Sequence, residues 1–296
     1  MTRFLEALGG RLAERWLALL LGPSVLLMGA IAAGATLGQR RWHDTGLLLD
    51  RLDGLSAQPA LRTGGTLVLL LAGVLVVSAG LGLAVTALGA MVERLWLGDR
   101  PRRLTARRRR RWDAAQERFD RALVAAARAE RTPEAAAAAA RARDLNALRN
   151  RISLAPPARP FWLGDRIAAV DTRVWDSYRL DLTSAWPRLW LTLPEDVRAE
   201  LGTARSSLAA ATRLLAWALG YLVVGLVWWP SAVVGAVTAV TAWWRARTAG
   251  VAFAELAESA VDLHGRGLAE SLGIPCAGTL TEDVGAEITA LLRKRT

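Results

Sequence analysis

The sequence predicts an all-α integral membrane protein with four transmembrane helices in two hairpins and a cytoplasmic helical module. Of its 296 residues, 53% are hydrophobic, and the mean hydropathy is positive, at +0.24. Several apolar runs approach or exceed the roughly 20 residues that a helix needs to cross a bilayer. Alanine, arginine and leucine dominate the polar region between these runs, and all three favour helix.

Composition also excludes several classes of site. The formal net charge is +11, and the chain has one cysteine and two histidines. A single cysteine forms no internal disulfide, and so few histidines leave no Cys/His zinc cage. The common phosphate-binding, acyl-transfer and zinc-protease motifs do not occur in the sequence. We therefore predict no enzyme, with no catalytic residue, no cofactor and no metal site.

The first segment, residues 1–97, is predicted to hold an N-terminal amphipathic helix and transmembrane hairpin 1. Its spans cover about residues 16–38 and 64–92, since Trp16–Gly38 and Gly64–Val92 carry no charge over 23 and 29 positions. The first run exceeds the roughly 15 apolar residues of a secretory signal. We therefore interpret it as a retained anchor.

Residues 98–207 are predicted to form a basic, Trp-rich cytoplasmic domain. One helix is expected over 104–131, and a second from an N-cap at Thr132, with Pro133 in its first turn, toward Arg151. The proline-rich stretch 155–160 predicts a loop. Four tryptophans follow within 29 positions, which indicates burial. A further helix is expected to begin at Pro194–Asp196 and to continue into the next span.

Transmembrane hairpin 2 is predicted over residues 208–247, with spans at about 208–229 and 231–246 and a tip at Trp228–Ser231. The second of these runs is only 14 residues long between Ser231 and Trp244. We assign it as a span because it returns the following arginines to the side that holds the other arginine clusters. Residues 248–296 are predicted to form acidic cytoplasmic helices, with Thr279 and Glu282 at capping-box spacing.

Orientation follows from the arginines. Residues 98–112 hold eight of them, and short arginine-rich loops stay in the cytoplasm. The sequence therefore predicts a protein of the bacterial inner membrane with both termini cytoplasmic.

Several short motifs in the second half of the cytoplasmic part resemble a family of uncharacterised actinobacterial multi-pass membrane proteins. They are Asp165-Arg166, Tyr178-Arg179-Leu180-Asp181, Trp186-Pro187-Arg188-Leu189, Leu193-Pro194 and Asp262-Leu263-His264, the last after a hydrophobic hairpin. The resemblance covers about residues 160–275. It implies a multi-pass membrane protein and no assigned activity.

About fifteen residues after the end of span two, the chain has a run of five arginines, which are Arg107, Arg108, Arg109, Arg110 and Arg111. Anionic headgroup phosphates are within its reach. A purely topogenic role explains the run equally well. Nucleic acid is disfavoured, because no base-stacking motif accompanies the arginines.

The acids Glu255, Glu258 and Asp262 lie at spacings of three and four, hence on one helix face. Residues 248–290 carry a net charge of −6, from 7 acids and one arginine, whereas residues 98–151 carry +9, from 16 arginines and 7 acids. We therefore expect the acidic face to pair with the arginine-rich hairpin, within or between subunits. A cation site is the alternative.

Small residues recur every four positions in three spans, and such faces let membrane helices pack closely. They are Ala30, Gly34 and Gly38; Ser78, Gly82, Thr86 and Ala90; and Ser231, Gly235 and Ala239. Packing within one subunit and self-association between subunits are equally open. The hydroxyls of Ser78, Thr86, Thr238 and Thr241 are candidate pore-lining groups.

These observations predict a membrane-bound scaffold or docking platform that binds an unknown cytoplasmic protein partner through its helical domain. The alternative is a channel or pore-forming subunit, in which the arginines would give an anion-favouring cytoplasmic vestibule. The spans lack acidic residues, which disfavours proton-coupled or cation-coupled transport.

Overall fold

A computed structural model describes residues 22–56, 64–129, 133–153 and 155–293. Helix is the regular structure in this part of the chain, and no strand occurs there. The all-α prediction is therefore confirmed. The predicted N-terminal amphipathic helix, the beginning of span one at Trp16 and the predicted N-cap Thr132 lie outside the described residues.

The described residues contain ten helices. They are α1 (Gly22–Leu37), α2 (Thr45–Ser56), α3 (Gly64–Leu97), α4 (Arg102–Ala129), α5 (Ala135–Ile152), α6 (Trp162–Tyr178), α7 (Leu182–Thr192), α8 (Glu195–Gly225), α9 (Trp229–Ser271) and α10 (Glu282–Leu292).

The chain divides into two compact units. The apolar unit contains the described residues up to Val92 together with Ala209–Arg245. The polar unit contains Glu93–Leu208 and the described residues from Ala246 onward. The long helices α3, α8 and α9 contribute residues to both units.

Within the described residues, two helices are long and apolar enough to cross a membrane, with candidate spans at Val68–Leu97 and Glu195–Gly225. Only 17% and 33% of their most apolar windows are buried, whereas a core helix of a soluble protein is mostly buried. The described part of α1 is a shorter apolar helix. The apolar start of α9 is followed closely by Arg245 and Arg247. The four-span arrangement is not confirmed and stays a prediction.

The ends of the apolar helices differ from the predicted spans in two places. Gly38 has a positive φ of 59° and its N–H donates to the Gly34 carbonyl at 3.0 Å, so it ends α1 and is not part of its packing face. Helix α8 ends at Gly225, before the predicted end of the span over 208–229, and the bounds of that span stay a prediction. Residues 226–228 form the turn, and Pro230 lies in the first turn of α9, where its missing N–H needs no partner.

In the polar unit, α4 and α5 form the predicted helical hairpin. The second helix begins at Ala135 and not at Pro133, which lies in a turn. The last helix also begins later than its motif suggests. Thr281, and not Thr279, caps α10, and its side chain accepts a hydrogen bond from the Val284 N–H. Glu282 instead pairs with Arg179.

The core of the polar unit lies between α6, α7, α9, α10 and the beginning of α8. Leu180, Leu189, Leu201, Val261 and Ile288 are fully buried in it. Of the predicted buried tryptophans, Trp186 and Trp190 pack against this core, whereas Trp175 is exposed at 36%.

Helix α10 closes the core against the end of α6. A Cβ atom at Gly285 would collide with the backbone carbonyl of Tyr178, so only glycine permits this approach. The buried Thr289 hydroxyl bridges the link from α6 to α7, since it donates to the Arg179 carbonyl and accepts from the Asp181 N–H, both at 2.9 Å.

Candidate functional site

The acidic face of α9 pairs with α6. Three side-chain contacts join the two helices: Arg166 Nη2 to Glu255 Oε1 at 3.1 Å, Arg173 to both Glu258 carboxylate oxygens at 2.7 and 2.5 Å, and Tyr178 OH to Asp262 Oδ1 at 2.9 Å. The predicted pairing with the arginine-rich hairpin is therefore wrong. The two arginines lie seven positions apart on α6, hence on one face. That spacing is the sequence signal that identifies the true partner.

The middle pair is the strongest of the three. Its bidentate geometry is the one that arginine and carboxylate favour. The hydrogen bond from Arg173 lowers the pKa of Glu258 against the opposing effect of burial, and the same bond raises the pKa of Arg173. In the third contact, the hydrogen bond to Asp262 raises the pKa of Tyr178, with a smaller contribution from burial.

These contacts also bear on the alternative cation site. Glu255, Glu258 and Asp262 are each engaged by α6, and the part of the chain that the structure describes contains no cluster of His, Cys, Asp or Glu suited to a metal ion. The geometry thus provides an inter-helix clasp.

A buried carboxylate connects the hairpin to α6. Asp165 is 6% exposed, and its Oδ1 accepts the N–H groups of Ala158 and Arg159 at 3.0 and 2.7 Å. Its Oδ2 lies 2.5 Å from Arg108 Nη1. Arg108 also donates to the carbonyls of Arg159 and Ile152, at 2.7 and 2.9 Å. This hub holds α4 against the proline-rich loop and the beginning of α6.

The five consecutive arginines are therefore not equivalent. Arg108 points inward and is half-buried, whereas Arg107, Arg109, Arg110 and Arg111 are exposed. Successive helix residues differ by about 100° in direction, so a run of five cannot share one face. Four of the five arginines predicted to contact headgroups therefore lie on the surface. The fifth, Arg108, stabilises the fold instead.

Two aromatic contacts keep α4 and α5 together near this hub. Trp112 Nε1 donates to the Ser153 carbonyl at 3.0 Å. The Arg149 guanidinium lies 5.9 and 5.2 Å from the ring centroids of Trp112 and Phe119. Beyond this point α4 has no buried residue along its length. The hairpin therefore presents most of its surface to its surroundings.

Between the two helices of the hairpin runs an open groove of about 750 Å³. Alanines form its floor and three arginines stand on its rim; the lining residues are Arg118, Arg121, Ala122, Ala125, Ala129, Glu134, Ala137, Ala138, Arg141 and Leu145. All three arginines are exposed. Together these residues form the hairpin groove.

A second, smaller cavity of about 420 Å³ lies between α6, α7 and α9, with Trp186, Phe253 and Asp171 in its lining. Burial and the neighbouring Asp181 raise the pKa of Asp171. An interaction with the Leu182 backbone, at the beginning of α7, opposes this shift.

In the apolar unit, part of the predicted small faces packs within the chain, and so does Gly89. A Cβ atom at Gly34 would lie 3.1 Å from the Trp228 Cβ, one at Gly89 would lie 3.2 Å from the Arg213 Cα, and one at Gly235 would lie 2.9 Å from the Leu222 N. Gly34, Ser78, Gly82, Ser231 and Gly235 are buried, Ala30 and Ala239 are half-buried, and Thr86 and Ala90 are exposed.

The exposure of Thr86 and Ala90 has a geometric cause. A step of four residues advances a helix by about 400°, so a four-residue repeat drifts by about 40° at each step. Among the described positions of α3, the buried ones are instead Ser78, Gly82, Val85, Gly89, Val92 and Trp96, at alternating steps of four and three. That spacing follows one face, and Gly89 is the packing residue that the four-residue pattern missed.

The four candidate pore-lining hydroxyls already have partners. Thr86, Thr238 and Thr241 donate to carbonyls four residues earlier in their own helices, at 2.8, 2.7 and 2.9 Å. Ser78 donates to the Met28 sulfur at 3.4 Å. These bonds give no support to a hydrophilic pathway through the four residues.

Comparison with protein-family models, with curated proteins and with solved structures finds no match to this chain.

Proposed function

We propose that this chain is a multi-pass protein of the bacterial inner membrane that acts as a docking platform for another protein through its polar unit. The proposal places both termini and the polar unit in the cytoplasm. It keeps the four predicted spans, with α1, α3, the second half of α8 and the beginning of α9 crossing the bilayer. Large exposed apolar side chains along α3, such as Val68, Leu69 and Val76 at 65–73% exposure, support a lipid environment for that helix.

One observation carries the docking role. The acids that would neutralise the hairpin are engaged by α6, so the hairpin retains its excess of arginines on an exposed surface. A stable module that keeps an uncompensated, solvent-facing charged surface is suited to binding an oppositely charged partner. Anionic headgroups contacted by Arg107, Arg109, Arg110 and Arg111 form part of the same proposal. Self-association through the exposed face of α3 that contains Thr86 and Ala90 is compatible with it.

Topology is tested by thiol labelling in a Cys276→Ser background. Native Cys276 is a poor reporter, because it is only 9% exposed and its failure to react would not show on which side it lies. Gly54 and Ala127 are better positions, since both are exposed. Gly54→Cys should react with an impermeant reagent on intact cells, and Ala127→Cys should react only after permeabilisation. The reverse pattern would refute the orientation.

Docking is tested by placing a photo-crosslinking residue at Ala127 on the hairpin or at Leu263 on α9, in cells that naturally produce the protein. Both positions are exposed in the polar unit. We expect a discrete crosslinked protein from Ala127 and none from Leu263. Equal crosslinking from both positions, or none from Ala127, would count against a hairpin platform. Ion flux through liposomes that contain the parent protein would instead favour a pore.

A further inference from the structure

The hairpin groove has a shape that can accommodate a third helix. Its floor is made of alanines, whose short side chains let a neighbouring helix approach to the close end of the usual 8–10 Å range. Along α4 the groove extends from Arg118 to Ala129, which corresponds to roughly 18 Å at about 1.5 Å per residue. A helix of three or four turns fits this length, and its larger apolar side chains would fill the space between the alanines.

The charge of the groove selects the kind of helix. Among the described residues that line the groove, Arg118, Arg121 and Arg141 stand on the rim, and Glu134 is the one acid. One rim arginine is partly committed, because Arg121 Nε donates to the Glu117 carbonyl at 3.2 Å. A helix with acids on both flanks of its apolar stripe would pair with these guanidinium groups. A lipid headgroup would satisfy the arginines but would leave the alanine floor uncovered.

The protein's own acidic helix does not qualify as the occupant. Glu255, Glu258 and Asp262 each contact a side chain of α6, with Glu255 and Asp262 exposed and Glu258 half-buried at the surface of the polar unit. Release of this face would break a bidentate ion pair and expose the buried surface of Val261. The charge complementarity of the groove therefore points to another protein.

We propose that the hairpin groove binds an acidic amphipathic helix of a partner protein, which adds to α4 and α5 as the third helix of a bundle. This inference rests on the proposed docking function and names its binding surface and the chemistry of its partner. The apolar stripe of the partner covers the alanine floor, and its acids meet the rim arginines. This is the helix-in-groove mode of recognition.

The probe is a fluorescent 18-residue helical peptide with leucines at helical spacing and glutamates on both flanks, and a second peptide carries lysines in place of the glutamates. Full-length protein in nanodiscs of neutral lipid is titrated against each peptide by fluorescence anisotropy, with empty nanodiscs as the blank. The glutamate peptide should bind and the lysine peptide should not. Rising salt should weaken the binding, because the rim contacts are exposed to solvent.

Matched variants locate the binding surface. Glutamine at Arg118, Arg121 and Arg141 should weaken binding about tenfold, since three exposed ion pairs of modest strength are lost. Glutamine at Arg103, Arg128 and Arg143, which are exposed but lie outside the groove, changes the net charge equally and should have little effect. Ala137→Trp fills the floor and should abolish binding, whereas Ala136→Trp, one position away and outside the lining, should preserve it.

The outcomes separate the two proposals. Failure of the glutamate peptide to bind, equal loss in both triple variants, or unchanged binding in Ala137→Trp would overturn the groove proposal. If the crosslink from Ala127 persists in the variant without rim arginines, the hairpin docks its partner elsewhere and the platform proposal survives. If the parent shows no crosslink from Ala127, the platform proposal itself fails.

Discussion

Arg108→Gln should destabilise the polar unit, whereas Arg109→Gln, one position along the same helix, should not. Glutamine at 108 removes the contact with the buried Asp165 carboxylate and the bonds to two carbonyl oxygens. Asp165 then keeps only its two backbone donors while 6% exposed. Arg109 is exposed, so its replacement breaks no buried contact.

The expected cost follows from these contacts. Removal of one partner from a buried ion pair costs about 3–5 kcal/mol. Arg108 keeps 18% of its side chain exposed, and the remaining backbone donors of Asp165 soften the loss, so we expect about 2–4 kcal/mol. For a unit of this size each kcal/mol lowers the melting temperature by roughly 2–4 °C. A fall of about 4–16 °C is therefore expected for Arg108→Gln, against less than about 2 °C for Arg109→Gln.

The assay is thermal unfolding of the full-length protein in neutral nanodiscs, followed by tryptophan fluorescence at one fixed scan rate, because membrane proteins often unfold irreversibly. Asp165→Asn and the double variant complete a double-mutant cycle. The double variant should lose clearly less than the sum of the two single losses, since both break one interaction. Strict additivity, or equal melting of the Arg108 and Arg109 variants, would refute the hub.

Three further predictions concern separate contacts. Thr289→Val should lower the free energy of unfolding, measured by urea titration, by about 2 kcal/mol, because it leaves the Arg179 carbonyl and the Asp181 N–H unpaired. Thr289→Ser keeps the hydroxyl and should cost less than half of that. Glu258→Gln should lower the free energy of unfolding by about 1 kcal/mol at pH 7. This difference should shrink as the pH falls below about 4, because a carboxylate with a lowered pKa stabilises the fold only while it is ionised. A difference that grows in acid would contradict this account. Gly235→Leu should reduce the yield of folded protein without changing the stoichiometry of the remainder, because a Cβ there meets the Leu222 backbone, whereas Ala90→Leu, on the exposed side of α3, should leave the yield unchanged.

The helices themselves could be predicted from local signals. Alanine-rich segments, prolines at helix beginnings and long apolar runs each act within a few residues, so α4, α5 and α8 begin and end within two to four residues of their predicted bounds. The errors at Pro133 and Thr279 are of the same local kind. After Thr279 the chain offers a second threonine, Thr281, which caps α10. Before α5, by contrast, Glu134 makes no capping hydrogen bond with its side chain.

Partner choice could not be predicted in the same way. Net charge indicated that the acidic face of α9 meets a basic surface, but total charge does not say which one. The hairpin carries more arginines, whereas α6 presents fewer arginines at the spacing and depth that Glu255 and Glu258 require. Geometry and shared desolvation decide such pairs, because exposed charges contribute little on their own. The inward direction of Arg108 could not be predicted for the same reason, because nothing in a run of five identical residues indicates which one faces a buried carboxylate.

The stabilising contacts and the proposed binding surface lie on different parts of the polar unit. The core around Leu189 and Val261 and the clasp between α6 and α9 stabilise one part of it. The hairpin is joined to α6 and to the loop before it chiefly through Arg108. Its outer arginines can therefore change without loss of the fold, whereas Arg108 cannot. If docking depends on how the hairpin is held, Arg108→Gln should weaken the Ala127 crosslink at temperatures where the core is still folded, and Arg109→Gln should leave it intact. An unchanged crosslink in a measurably destabilised Arg108 variant would show that the hairpin binds its partner independently of its attachment.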